Sequence, residues 1–332
     1  MTAAGECMLM NGAASANPVP PRLSILVPFY RDNPAAFIAA LAASPIGAQQ
    51  VELIALDDGN GRADLAAEIM DAMASAPFAC TLIVLVANGG RAAARNRLLA
   101  QARGGHVLFA DADMALVDRW FLPHWLQVIE KDAPAIAFGG FQVDPTPDDR
   151  STALHAYVSA RSDCLPASLR ARRPAQTLTT SNLLVRRDVL NAFAFDSGFR
   201  GWGYEDSEWA FRVASRYAIC HIDNPLRHLG LDSADALLAK FAACGANYVR
   251  LIEAHPQAAE DFAALRLARL LTAISAPLAA VAAGARWLAR DPARMAPLVL
   301  RAWALKLMRA AMIAQALPQE HQPQTAPVEN LA

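Results

Sequence analysis

The stretch LSILVPFYRDNPAAFIAALAASPIGAQQVELIALDDG, residues 23–59, decides how this chain folds. Leu23 to Pro28 is an unbroken apolar run bounded by turn signals, the pattern of a strand buried on both faces. Pro34 to Ala43 reads as a helix. Val51 to Leu56 is a second buried strand, closed by Asp57-Asp58-Gly59-Asn60-Gly61. Working outward, Asp64 to Ala76 is helical, and Thr81 to Val86 is a third strand followed by Asn88-Gly89-Gly90. Arg91 to Arg103 is a helix, and His106 to Ala110 a fourth strand ending at Asp111. Strands and helices alternating at this spacing predict a mostly parallel, Rossmann-like α/β sheet with right-handed crossovers.

Beyond Asp113 the alternation loosens. Trp120 to Lys131 reads as a helix, Ala135 to Val143 as extended and Asp144 to Arg150 as a Pro/Asp loop. Residues 151–176 are polar and Arg-rich and read as a mobile segment over a site. Leu178 to Val185 is a strand candidate, Arg187 to Ala192 a short helix, and Phe195 to Tyr204 a Gly/aromatic loop leading into a helix from Glu205. Tyr217 to His221 is a late strand. Ser233 to Ala316 is helical in character. Four segments follow: a disordered leader (1–21), an α/β domain (22–232), a C-terminal helical region (233–317) and a disordered tail (318–332).

Composition narrows the class. Of 332 residues 55% are hydrophobic, but 73 are alanine, so the apolar content is that of an ordinary globular chain. With 30 basic and 31 acidic residues the net charge is -1, which excludes a chain basic throughout; no nucleic-acid partner is expected. No uncharged apolar run is long enough to span a bilayer. Five scattered cysteines suit neither a disulfide framework nor a zinc knuckle and point to a reducing, cytoplasmic location.

The glycine fingerprint of dinucleotide-binding sheets is absent, as are the phosphate-binding P-loop, the His-Glu-x-x-His zinc motif and the Gly-x-Ser-x-Gly elbow. The strands end in carboxylates instead, and ligands of an open parallel sheet sit beyond those ends. Asp111-Ala112-Asp113 places two carboxylates two apart in a turn, a donor set for a hard divalent cation bridging to phosphates; it is equally an ordinary turn. Asp57-Asp58-Gly59 carries the same two readings. In Gly201-Trp202-Gly203-Tyr204-Glu205-Asp206, acids open a helix and complement its dipole; beside an aromatic loop they also suit a general base near a sugar. His228 follows a strand-like run and could close on the metal. Arg91 and Arg95 lie one turn apart after a Gly-Gly turn, placed for a diphosphate or for a strand-end Asp.

In order, these segments resemble a family 2 glycosyltransferase with the GT-A fold. Those that carry it are Ser24-Ile25-Leu26-Val27-Pro28-Phe29-Tyr30, Leu56-Asp57-Asp58-Gly59, Asn88-Gly89-Gly90 with Ala94-Arg95-Asn96, Phe109-Ala110-Asp111-Ala112-Asp113, Thr180-Ser181-Asn182-Leu183-Leu184-Val185 and Gly201-Trp202-Gly203-Tyr204-Glu205-Asp206. The last block is similar to that of β-1,4-galactosyltransferase-like and chondroitin-polymerase-like enzymes. The resemblance implies that Pro28 and Tyr30 line the base pocket, that Asp58 with Asp57 contacts the uracil, and that Arg95 lies along the nucleotide. It implies that Asp111 meets the ribose or the metal, that Asp113 ligates Mn²⁺ or Mg²⁺, and that His228 is a further ligand. Asp206 is then the base, or else Glu205, with Trp202 and Gly203 shaping the acceptor site. Tyr30-Arg31-Asp32-Asn33 replaces the family's common Tyr-Asn, and Asn60 its Ser.

The implied reaction is inverting transfer from a nucleotide-sugar, a UDP-sugar, to a hydroxyl of a glycan or lipid-linked acceptor in cell-surface polysaccharide synthesis. Two alternatives are a sugar-phosphate nucleotidyltransferase, which would want a Gly-rich basic loop after the first strand, and a non-catalytic nucleotide-sugar-binding partner of an assembly complex. Between Phe262 and Leu317 eight basic residues stand against one acid, Asp291. Arg294, Arg301 and Arg309 fall on one helical face, and Asp291-Pro292 reads as a helix start. Such a region is either packed on the α/β domain with basic solvated faces or rests peripherally on the inner face of an anionic membrane.

Overall fold

The computed structural model describes residues 6–13, 19–47, 49–147, 149–260, 262–293 and 295–317. In chain order the elements are β1 (Glu6–Met10), β2 (Leu23–Phe29), α1 (Ala35–Ala42), β3 (Val51–Asp57), α2 (Ala63–Ala74), β4 (Ala79–Leu85), α3 (Arg91–Leu99) and β5 (His106–Ala110). Next come β6 (Met114–Leu116), α4 (Phe121–Lys131), β7 (Ile136–Phe138), β8 (Phe141–Gln142), α5 (Ala153–Ser162), α6 (Ala167–Arg170), β9 (Asn182–Arg186) and α7 (Arg187–Ala192). Then follow α8 (Glu205–Ala214), β10 (Ile219–His221), β11 (Leu226–His228), α9 (Ala234–Ala243), α10 (Gly245–Ala254), α11 (Pro256–Ala259), α12 (Ala263–Ala273), α13 (Leu278–Arg290) and α14 (Leu298–Ala316).

The main sheet runs β1-β4-β3-β2-β5-β9-β7-β10. β4, β3, β2 and β5 are mutually parallel, β1 and β9 are antiparallel to their neighbours, and β10 is parallel to β7. From β2 the chain steps outward to β3 and β4, then returns to place β5 on the other side. The crossovers reverse between β2 and β5, and the crevice beyond their carboxyl ends is where such sheets take ligands. A second sheet, β6-β11-β8, stands beyond that end and pairs His228 with Met114.

The quoted stretch has no polar alternation because both faces of its strands are covered. Ile25, Val27, Leu53 and Ala55 pack with Phe37, Ile38, Leu65 and Trp125 on one side. Leu26, Ile54 and Leu56 pack with Ala92, Leu98 and Trp209 on the other. Each buried Leu or Ile there contributes about 1.5–3 kcal/mol.

Three readings of the sequence are corrected. The leader is not wholly disordered: Glu6–Met10 forms β1 along β4. Asn11 anchors it, its amide donating to Met73 O and Phe78 O while its Oδ1 accepts from Cys80 N. Residues 1–5 and 14–18, and the tail from 318, lie outside the described residues. The 151–176 segment is not a loose flap but largely helical, with Leu154 of α5 buried against Leu237, Leu238, Leu305 and Met308. Asp291-Pro292 does not start a helix. Asp291 ends α13 in the left-handed region (φ 54°), and α14 begins at Leu298.

The C-terminal helices pack around α14, which meets α5, α9, α10, α12 and α13. Among the described residues no helix is long and apolar enough to cross a membrane. The expected basic face of α14 is largely engaged: Arg301 donates to Ala289 O, Arg309 is turned into an aromatic cluster, and Arg294 lies outside the described residues.

Candidate active site

Two acidic strand ends border the crevice. At the first, β3 delivers Asp57 and Asp58 into a turn that engages three of their four carboxylate oxygens, Asp57 Oδ2 being buried without a hydrogen-bond partner. Asp57 Oδ1 accepts from the Asn60 backbone N–H and side-chain amide, both at 2.8 Å. Asp58 is held by the loop before α3: its Oδ1 accepts from Gly89 N at 2.8 Å and its Oδ2 from Gly90 N at 3.0 Å. These N–H groups precede α3, so the carboxylate also complements that helix's positive end. Burial nonetheless pushes Asp58 above its ordinary pKa, with the two hydrogen bonds opposing. Gly59 must be glycine here. Its φ is +86°, and a Cβ would sit 2.5 Å from the Ala87 carbonyl carbon.

At the second end, β5 stops at Ala110 and Asp111 and Asp113 keep open oxygens. The Asp111 carboxylate is one-third exposed, with Arg95 Nη2 at 3.8 Å. Burial raises its pKa against the pull of Arg95 and Arg91. Asp113 Oδ2 lies 3.0 Å from His228 Nε2. Burial raises Asp113 too, but the imidazole's hydrogen bond and charge outweigh it and leave the carboxyl below its usual range. The pairing holds His228 up in turn, against its own burial. The second sheet makes this approach possible, since β11 runs beside β6 and Leu229 N donates to Asp113 O. Gly230 clears the space, as a Cβ there would lie 2.0 Å from Asp113 Oδ2.

The third contribution comes from the start of α8. Tyr204 takes a left-handed conformation (φ 74°) between Gly203 and Glu205. Asn247 of α10 secures the preceding loop by donating to Arg200 O at 2.9 Å and Gly203 O at 3.0 Å. Trp202 packs edge-on against Phe241 of α9. Glu205 is 3% exposed and receives Arg95 Nη1 at 2.9 Å, while Arg91 Nη1 stands 3.8 Å away. Burial would raise Glu205, but the two guanidiniums win and hold it as a carboxylate. Asp206 is half-buried, makes one short-range bond from Ser207 N, and has its pKa pushed up to about 6 by burial and by the Glu205 charge. The two adjacent acids therefore divide. Glu205 is a neutralised anchor for Arg95, and Asp206 is an accessible carboxylate with enhanced basicity.

The residues singled out in the sequence thus fall into groups. Asp111, Asp113, His228, Glu205 and Asp206 gather around the crevice with Arg95 as a buried strut. Asp57 and Asp58 shape its edge. Pro28 sits in β2 opposite Leu56, and Tyr30 is 40% exposed at the mouth beneath the Arg31 guanidinium. Two further contributors stand beside these: Arg91, which the sequence already paired with Arg95, and Asp32, which it did not propose as a site residue. Arg91, half-exposed at the start of α3, is held charged by Glu205, Asp111, Asp206 and Asp113 against its own burial. Asp32, in the loop after β2, has its pKa raised by burial and then by the charge of Asp113. The unusual Tyr30-Arg31-Asp32-Asn33 block was the available signal. Asn182, another motif residue, is structural: its amide donates to Gly140 O and Asn224 O, both at 2.8 Å.

For a divalent cation the donors present are incomplete but suitable. Among the described residues no three His, Cys, Asp or Glu side chains are grouped to hold a metal alone. A carboxylate and an imidazole converge with a second carboxylate nearby, the partial set used when substrate phosphates complete the coordination.

The family model for glycosyl transferase family 2 matches residues 24–193, ending before the Gly201–Asp206 block. No curated protein matches the sequence. Among solved structures, the chain is similar to a mannosyltransferase from Pyrobaculum calidifontis in complex with GDP-Man and Mn²⁺. That match has 18% identity and TM-score 0.58, covering 90% of this chain and 87% of that one. It is also similar to residues 1–349 of S. aureus TarS in complex with UDP, at 16% identity and TM-score 0.52, covering 89% and 90%.

Proposed function

The chain belongs to glycosyl transferase family 2, a GT-A glycosyltransferase, and from that premise we propose that it is inverting and metal-dependent, moving a sugar from a UDP-sugar to a hydroxyl of a glycan or lipid-linked acceptor. The observation that carries this reading is the division between Glu205 and Asp206. One acid is locked by Arg95 and Arg91, and its charge helps raise the other to about 6. An accessible base of that strength sits across the crevice from Asp111 and Asp113.

Asp113 and His228, with Asp111 beside them, would hold Mn²⁺ or Mg²⁺. When bound, that cation supplies neutralisation of the charge left on the departing diphosphate. Arg91, on the first turn of α3, adds a fixed positive charge at the same end. Asp206 accepts the acceptor hydroxyl's proton as the hydroxyl attacks from the face opposite the leaving group, which inverts the anomeric carbon. A placed base contributes roughly 10²- to 10⁴-fold. Arg95 does not touch substrate in this scheme; it fixes Glu205 and so the start of α8.

The test is UDP and GDP release from a panel of nucleotide-sugars with MnCl₂, with and without chelator. Chelator-sensitive release of UDP is the expected result, and Asp113→Ala should abolish metal-dependent UDP binding. Turnover unaffected by chelator would sink the metal reading, and release of GDP alone would reassign the base.

The C-terminal region supports peripheral contact with an anionic membrane, as expected of an enzyme of polysaccharide synthesis on the cytoplasmic face. Around the α13–α14 junction Trp287, Met295, Leu300 and Trp303 are exposed, with Arg286 and Lys306 nearby in sequence. Interfacial tryptophans with cations suit such a surface. Co-sedimentation with phosphatidylglycerol vesicles but not phosphatidylcholine vesicles, weakened in a Trp287→Ser/Trp303→Ser double variant, is expected. Equal recovery with both lipids would remove the proposal.

A further inference from the structure

One cation near the base has no carboxylate within 4 Å among the described residues, and Asp163 acts on it only at longer range. Arg309 of α14 is directed at three aromatic rings, Phe241 at 5.3 Å, Tyr204 at 5.5 Å and Tyr248 at 5.7 Å. Its Nη2 donates to the Tyr204 hydroxyl. Its Nε is buried without a hydrogen-bond partner, and so is the Tyr248 hydroxyl. Arg95, Arg97, Arg170 and Arg212 each meet a carboxylate within 4 Å, whereas no carboxylate among the described residues pairs with Arg309. The aromatic rings offset part of the cost, about 0.5–2 kcal/mol per contact. They supply no counter-charge.

This cation also faces open space. A cavity of about 230 Å³ is lined by Gln176, Tyr204, Ser207, Tyr248, Phe262 and Arg309. Tyr204 and Ser207 bracket Glu205 and Asp206 in sequence, so the cavity adjoins the first turn of α8, the turn that also carries the base. Its wall combines apolar rings with one guanidinium, a surface that stacks a sugar ring and grips a planar or tetrahedral anion through paired N–H donors. A neutral acceptor would leave that guanidinium without a directly bonded anion.

We propose that this cavity is an acceptor subsite and that the acceptor bears an anionic group, a phosphate or a carboxylate, held by Arg309. The C-terminal helical region then supplies part of the active site. The proposal rests on the glycosyltransferase reading, because Asp206 defines which side of the crevice is the acceptor's.

The test uses the full chain with MnCl₂ and UDP present. Glucose 6-phosphate, glucuronate and glucose are titrated by calorimetry as phosphate, carboxylate and neutral probes. At least one anion should bind about tenfold or more tightly than glucose, equivalent to about 1.4 kcal/mol. Which of the two does so identifies the group. Arg309→Gln should reduce its affinity to that of glucose. Arg309→Lys, which keeps the charge and loses the fork, should retain part of the preference and carries the test if Arg309→Gln does not fold. Anions binding no better than glucose, or an anion preference unchanged in Arg309→Gln, would overturn the proposal. So would an Arg309→Gln variant that merely loses UDP release while its anion preference persists, since Arg309 would then only position Tyr204. UDP binding by the same wild-type sample separates the two levels. Its absence removes the UDP-sugar reading of the donor site, whereas its presence without anion selectivity removes this one alone.

Discussion

Two strand ends of the same sheet carry paired aspartates, and they are put to opposite uses. At β3, both Asp58 oxygens accept from the Gly89 and Gly90 backbone N–H groups, and Asp57 accepts from Asn60. At β5, the chief partners of Asp111 and Asp113 are side chains, Arg95 and His228, with one backbone N–H, its own, also serving Asp113. Whether the partner is backbone or side chain decides whether a carboxylate builds the crevice or works in it. Backbone N–H groups fix a turn permanently. A side-chain partner holds charge in place and can yield.

The largest expected effect tests the working side. Asp206→Asn should lower transfer roughly 10²- to 10⁴-fold while UDP binding persists; surviving transfer would show that Asp206 is not the base. In the parent enzyme the rate should climb with pH through about 6, because the raised pKa keeps Asp206 protonated and unable to accept a proton below that value. A rate already flat from pH 5 upward would place the base elsewhere.

On the building side the expected loss is stability. Asp58→Ala removes two charge-assisted hydrogen bonds to backbone N–H groups and leaves both donors orphaned in a part-buried loop. Hydrogen bonds to charged groups are worth about 1.5–3 kcal/mol each, so chemical denaturation should show a destabilisation of about that size or more. Weakened UDP binding with unchanged stability would instead place Asp58 in the donor site itself, as the family resemblance suggests.

How much of this division was legible in the sequence differs residue by residue. β2, β3 and β5 were readable because burial on both faces leaves a continuous apolar signature. β1 was not: its five residues are a short, mostly apolar run among small, polar and Pro-punctuated sequence, and they owe their order to pairing with β4 and to Asn11, about 70 residues from its partner Cys80. α5 was missed for the same reason, since its buried Leu154 finds its neighbours in α9 and α14. All the acids of the site except Asp32 were found, but their roles were not separable. Glu205 and Asp206 are neighbours in sequence, and the reach of Arg95 across 110 positions ties down the first while leaving the second free of it, as the proposed base requires. The near-neutral overall charge hid a similar partition. The basic helical end is not a mere appendage, because α9, α10 and α14 grip the Trp202–Tyr204 loop through Phe241, Asn247 and Arg309.

The smallest expected effects come from two glycines, one at each strand end, and their contrast is the sharpest form of the comparison. Gly59 has a left-handed backbone and would drive a Cβ into the Ala87–Asn88 peptide at 2.5 Å. Gly59→Ala should therefore cost about 1–3 kcal/mol of stability, in the turn that Asp57 and Asp58 build. Gly230 carries no such backbone demand, and its Cβ would meet the Asp113 carboxylate rather than main chain. That side chain can swing aside, so Gly230→Ala should leave the thermal midpoint nearly unchanged. Its cost appears at the ligand instead. Displacing Asp113 from His228 should weaken Mn²⁺-dependent UDP binding about tenfold, the lower range for disturbing the surroundings of a metal ligand. Calorimetry with UDP and MnCl₂, beside thermal melts of both variants, reads the pair. If Gly230→Ala melts early and binds UDP normally, Asp113 and His228 are holding a turn like Asp58, and the two strand ends do the same job after all.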